Sequence, residues 1–126
     1  MAFDATVASQ EWEEQKLEAA HDLAHVDVTR PFASVAEDIE PGTLLKESGG
    51  DYEPWIQGTD PAGDITAVHA GPNDLDTGSR ESGLVRIFGP INHEALVVWT
   101  SGDGSTTADP SDDAITELQD LKIFPM

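Results

Sequence analysis

The chain has 126 residues, 25 Asp and Glu against 6 Lys and Arg, a formal charge of −19 and no cysteine. That length suits one domain with a modest core, and the absence of cysteine excludes a disulfide framework and thiolate metal sites. The charge has the wrong sign for nucleic acid, whose phosphates need cationic side chains to displace counterions. No run approaches the ~18–20 apolar residues of a membrane-spanning helix.

Met1-Ala2-Phe3-Asp4 lacks the basic and apolar regions of a secretory signal, so a soluble chain that is not exported is expected. The acidic excess itself reads as a solvated surface suited to salty surroundings, where self-repulsion is screened.

Residues 1 to 24 mix helix formers with scattered apolar residues, and only Trp12, Lys16, Ala19 and Ala20 approach a helical stripe. A short helix over 11–20 is marginal in water unless it docks. Residues 1–25 therefore read as a flexible N-terminal arm that orders on contact, with Phe3 and Trp12 as its apolar anchors, and 26–126 as a single domain.

From His25 the period becomes two. Val26, Val28 and Arg30 are expected on one face and Asp27 and Thr29 on the other, until Pro31 ends ladder donation, as in an edge strand or an added strand. Glu40-Pro41-Gly42 predicts a turn into a strand at Thr43–Lys46, and Ser48-Gly49-Gly50-Asp51 a tight hairpin back into Tyr52–Ile56. Ile65 to Ala70 reads as a strand between polar loops.

The stretch RIFGPINHEALVVW, residues 86 to 99, then raises a choice between core, contact surface and a site around His93 and Glu94. Its apolar runs Leu84–Phe88 and Ala95–Trp99 predict two central strands, with His93 and Glu94 in the turn between them. Asp109 is expected to cap a helix with Pro110 at its first position, and Asp112 and Asp113 favour its N-terminal dipole. Ala114, Ile115, Leu118 and Leu121 form its apolar face, which is expected to cover Phe88 and Trp99. Ile123-Phe124 predicts a last short strand. The fold class is α+β: a small β-rich domain of short, mostly antiparallel strands with a docked C-terminal helix.

Candidate chemistry is sparse. His21 and His25 share a helical face at metal-ligand spacing, but Asp22 replaces the Glu of an HExxH site and the β pattern starts at once. The stretch Asp103–Asp113 has the oxygens a calcium ion wants, but lacks an EF-hand spacing. His93 and Glu94 are neighbours, so on a strand they would face opposite ways. With no nucleophile motif and no phosphate loop, a non-enzymatic protein without a cofactor or metal is expected. The alternative is a β-rich carbohydrate- or calcium-binding module using the Asp-rich loops. Tyr52, Trp55, Phe88 and Trp99 lie in or beside strands, where large rings supply core or interface area.

Taken together, Val28-Thr29-Arg30-Pro31, Ile39-Glu40-Pro41-Gly42-Thr43-Leu44-Leu45 and Gly50-Asp51-Tyr52-Glu53-Pro54-Trp55 form an ordered series. Ala67-Val68-His69-Ala70, Leu84–Asn92, Ala95–Trp99 and Ala114–Leu118 with Lys122-Ile123 continue it. The series resembles the lambda-type head decoration proteins of tailed bacteriophages over about residues 26 to 124. It departs from them at Lys122, where the family often has Gly, and in its longer, more acidic arm.

The resemblance implies a structural protein of the virion, made in the host cytoplasm. It would assemble as a homotrimer on the outer surface of the mature capsid, at three-fold positions, and hold the major capsid protein against internal DNA pressure. It implies that the arm and its root, Phe3, Trp12, Val26, Val28 and Arg30, meet the capsid by strand addition. Arg30 and Lys46 become candidates for an acidic capsid edge, and Leu45 and Trp55 for the trimer interface. No membrane or nucleic-acid partner is expected.

Overall fold

A computed structural model describes residues 25–126, and the expected arm, with Phe3, Trp12 and His21, lies outside them. Among the described residues the strands are β1 Val26–Pro31, β2 Leu44–Ser48, β3 Asp51–Pro54, β4 Ile65–His69, β5 Ser82–Ile91, β6 Val98–Trp99, β7 Thr107–Ala108 and β8 Ile123–Pro125. Helix α1, Asp112–Asp120, precedes the last of these. The domain is α+β, β-rich and mostly antiparallel, with its helix near the C-terminus.

The main sheet runs β1-β5-β4-β2-β3, every step antiparallel, and β8 joins β5 in parallel. Its two ends approach each other. Phe32 bridges Tyr52, and the Ala33 N–H donates to the Tyr52 carbonyl at 2.9 Å, so the sheet curls toward a barrel. The β2–β3 hairpin has the expected two-residue turn. Ser48 pairs with Asp51, and Gly49 and Gly50 take φ of 62° and 96°, the left-handed pair that such a turn demands.

Curling gives the sheet two buried faces. Leu45, Ala67 and Val85 point inward with Phe32, Ile39, Tyr52, Leu75 and Trp99. Leu44, Val68 and Ile123 point the other way, with Trp55, Ile65, Leu96 and Val98, under Ala114 and Leu118 of α1. Strands covered on both sides read as continuous apolar runs rather than alternating ones, which is why Leu44-Leu45 and Ala67-Val68 carry no polar partner face. Gly42 joins the turn to β2 at φ 95°, where a Cβ would collide with the Ala95 carbonyl.

Several expectations change. Phe88 is not under the helix but is 42 % exposed. Trp99 is buried, yet in the inward cluster, and Trp55 is the tryptophan in the cluster beneath α1. The helix starts later than Asp109 suggested: Ser111 is the cap, its hydroxyl accepting from the Ala114 N–H at 3.3 Å. Asp112 and Asp113 do fall in the first turn. β5 runs unbroken through Gly89-Pro90 to Ile91, whereas only Val98–Trp99 of the second apolar run is strand, paired with β7 outside the main sheet.

Candidate contact surface

β1 forms one edge of the main sheet and among the described residues is laddered only with β5. The register shifts between Val26 and Asp27, a bulge that breaks the expected alternation. Val28 consequently packs against the inward cluster, while Val26 is 44 % exposed and Asp27 turns to Arg86. Arg30 is exposed and, among the described residues, donates only to the Thr29 carbonyl, at 3.2 Å.

A bidentate pair fastens this edge. Arg86 Nε and Nη2 donate to Asp27 Oδ1 and Oδ2 at 2.7 and 2.9 Å, and Nη1 donates to the Pro90 carbonyl at 2.8 Å. Two parallel charge-assisted bonds fix orientation as well as adding energy. Among the described residues the ladder ends beside this pair. Val26 stands opposite Phe88, and two residues further along β5 Pro90 has no N–H to offer and its carbonyl is already engaged.

Exposed large apolar side chains gather at this place. Val26 faces Phe88 in the β1–β5 register, and Phe124 faces Pro90 in the β5–β8 register. Val26, Phe88, Phe124 and Met126 are exposed by 44, 42, 42 and 54 %, the first three on the paired strands β1, β5 and β8. Met126, with Arg86, Pro90, Ile91 and Asn92, also lines a cleft of about 200 Å³. The sequence reading missed Phe88 and Phe124 as surface residues, although a signal was there. Phe88 is two residues from Arg86, in phase with a charged side chain, and out of phase with Val85 and Ile87, which pack inward.

Other expected sites are placed differently. Leu45 and Trp55, the trimer-interface candidates, are 0 and 2 % exposed, and the Trp55 indole N–H donates to the Pro61 carbonyl at 2.8 Å. Both belong to the chain's own core and offer a neighbour no surface. Lys46 is likewise engaged at home: its ammonium donates to Asp60 Oδ2 at 2.8 Å, the main cause of its raised pKa, with Glu53 4.0 Å away.

His93 and Glu94 sit on a 3-10 turn that Asn92 caps by accepting from the Glu94 N–H at 3.1 Å. They edge an open cleft of about 420 Å³ with Leu96, Asp109 and Pro110. Asp103 Oδ1 accepts from the Ser101 hydroxyl and from the Ser105 N–H and hydroxyl, bonds that hold its pKa down at about 2. That carboxylate closes its own loop. His25 Nε2 lies 3.8 Å from Asp27 Oδ2, and among the described residues no three His, Asp or Glu side chains are grouped for a metal.

One buried titratable group went unnoticed in the sequence. His69 is 2 % exposed, stacks edge-on against Phe32 at 5.9 Å, and its Nδ1 has no hydrogen-bond partner among the described residues. Burial pushes its pKa below the ordinary histidine value, against the smaller pull of the Glu40 and Ile39 carbonyls and of Asp74.

Among the described residues no helix is long and apolar enough to cross a membrane. Compared with protein-family models and with curated proteins, the chain matches none.

Proposed function

We propose that the chain is a non-enzymatic decoration protein of a bacteriophage head, binding the outer surface of the mature capsid at three-fold positions as a homotrimer and stabilising it against the pressure of packaged DNA. The observation that carries this reading is a coincidence of place. The edge strand β1, laddered among the described residues only with β5, lies beside the exposed side chains of Val26, Phe88, Phe124 and Met126, at the end of the domain where the described chain begins. An edge strand next to exposed apolar side chains suits strand addition to a partner, because main-chain bonds supply affinity and side chains supply fit. The ordered motifs from Val28 to Ile123 support the same reading through their resemblance to head decoration proteins. The large negative charge then faces solvent, and three arms engaged at once gain by avidity what each lacks alone. Subunit contacts fall to surface residues other than Leu45 and Trp55.

Co-sedimentation with cognate mature capsids tests this. Saturable binding of the full chain is expected, with loss of binding on deletion of residues 1–24. The deletion stops there because β1 begins at Val26 and is part of the domain. A full chain that stays in the supernatant, or a truncated one that binds undiminished, overturns the reading. Sedimentation velocity on the capsid-bound and free protein gives the oligomeric state.

A further inference from the structure

His69 is buried where two acidic segments of the chain close over the end of β4. We propose that residues 35–40 and 71–79 form a strap that opens locally when His69 takes up a proton between pH 7 and 5, while the sheet beneath it stays paired. The inference goes beyond the capsid reading and does not rest on it.

The packing of the imidazole is the first argument. His69 is 2 % exposed, lies edge-on to Phe32, and its Nδ1 has no hydrogen-bond partner among the described residues. On the Nε2 side the chain returns so closely that a Cβ on Gly71 would stand 2.8 Å from that nitrogen. The groups that favour a proton on the ring are the Glu40 and Ile39 carbonyls and the Asp74 carboxylate, all three on the strap. From β5, Val85 stands opposite His69, and the neighbouring Arg86 is held by Asp27 and the Pro90 carbonyl. An imidazolium is a double donor that must be solvated or paired. A proton on His69 therefore favours the arrangement in which the strap has lifted and solvent reaches the ring.

The fastening of the strap is the second. Its two segments are joined by Ile39 and Leu75, which exchange main-chain hydrogen bonds at 2.9 and 2.8 Å, and by the Val35 N–H donating to Thr77 Oγ1 at 2.9 Å. Ile39 and Leu75 also seat it on the inward cluster. Its ends are anchored by the Phe32 N–H on the Glu81 carbonyl and the Gly42 N–H on the His69 carbonyl, both at 2.8 Å. Between those anchors Glu37, Asp38, Glu40, Asp74 and Asp76 are exposed, and their like charges favour separation of the two segments. A segment with few main-chain bonds and an exposed backbone opens at a lower free energy than the sheet that carries it. Ordinary carboxylates titrate near pH 4, below the proposed window, so histidine is the residue type that changes charge within it.

Native-state hydrogen exchange on the full-length protein tests this, at pH 7, 6 and 5 and at several urea concentrations below the unfolding transition, with rates corrected for intrinsic exchange. Protection of the Val35, Ile39 and Leu75 amides is expected to fall by up to about tenfold per pH unit. It should depend little on urea, because a local opening exposes little surface. The Leu44 and Trp55 amides, bonded at 3.1 and 2.9 Å in the core, keep the steep urea dependence of global unfolding. His69→Phe and His69→Gln, uncharged throughout the window, each remove the fall at the strap. Three results overturn the proposal: strap protection that does not change with pH, strap amides with the urea slope of Leu44 and Trp55, so that the proton enters only by global unfolding, or a fall that persists in either folded variant. The first two are read on the natural chain and stand whether or not the variants fold.

Discussion

His69 and Phe88 show how far the residue type is from deciding a side chain's surroundings. A histidine in the run Ala67-Val68-His69-Ala70 sits between two buried faces, packed on Phe32, while the phenylalanine of Ile87-Phe88 meets solvent. The position of His69 carries a consequence for pH. Its folded pKa lies below that of the unfolded chain, which is about 6.5. Between the two values the unfolded state holds a proton that the folded state does not, so stability is full above about pH 6.5 and falls as the pH drops below it. The slope is at most about 1.4 kcal/mol per pH unit for one proton. Urea unfolding between pH 5 and 8 is expected to show this fall in the natural chain and to lose it in His69→Phe, which keeps the ring contact. A variant with the same pH profile would remove His69 as its source.

At the scale of elements, the signals that proved reliable were local ones. Gly49-Gly50 placed the hairpin, Pro31 ended β1, and Ile123-Phe124 announced β8. The helix was legible too, but its start was not. Ser111 outcompetes Asp109 because its hydroxyl reaches the Ala114 N–H, a choice between two good caps that depends on the path of the incoming chain. Its end is more telling. After Leu121 the chain needs a left-handed residue to close the helix and enter β8, and Lys122 takes φ 69° there. A side chain in that conformation costs roughly 1–2 kcal/mol, of which glycine's greater freedom in the unfolded chain returns about 0.5–1. Lys122→Gly is therefore expected to stabilise the protein by about 0.5–1 kcal/mol, read as a higher urea midpoint at unchanged slope. A lower midpoint would mean that the lysine stem contributes more than its backbone costs.

For the molecule as a whole, charge and topology act in opposite directions. The formal charge of −19 favours expansion, and among the described residues the ion pairs Lys46 with Asp60 and Arg86 with Asp27 engage two of the five Lys and Arg side chains. Salt shortens the range of repulsion from ~30 Å at 0.01 M to ~3 Å at 1 M. Thermal unfolding is accordingly expected to move upward by about 5 °C, near 1 kcal/mol for a domain of this size, between those conditions. A downward shift would show that the two ion pairs outweigh the net repulsion. By itself, the sequence determined the acidic surface, the α+β class, the turns and most strand positions, because each follows from composition or from neighbours within a few residues. Only the tertiary structure decided that Trp55 and Leu45 are core, that Phe88 and Phe124 are surface, that β5 continues through Gly89-Pro90, and that β8 lies parallel to it. Which face of a strand is covered depends on elements far away in the chain, and the curl that brings Phe32 to Tyr52 buries both faces of some strands while leaving one face of β5 open.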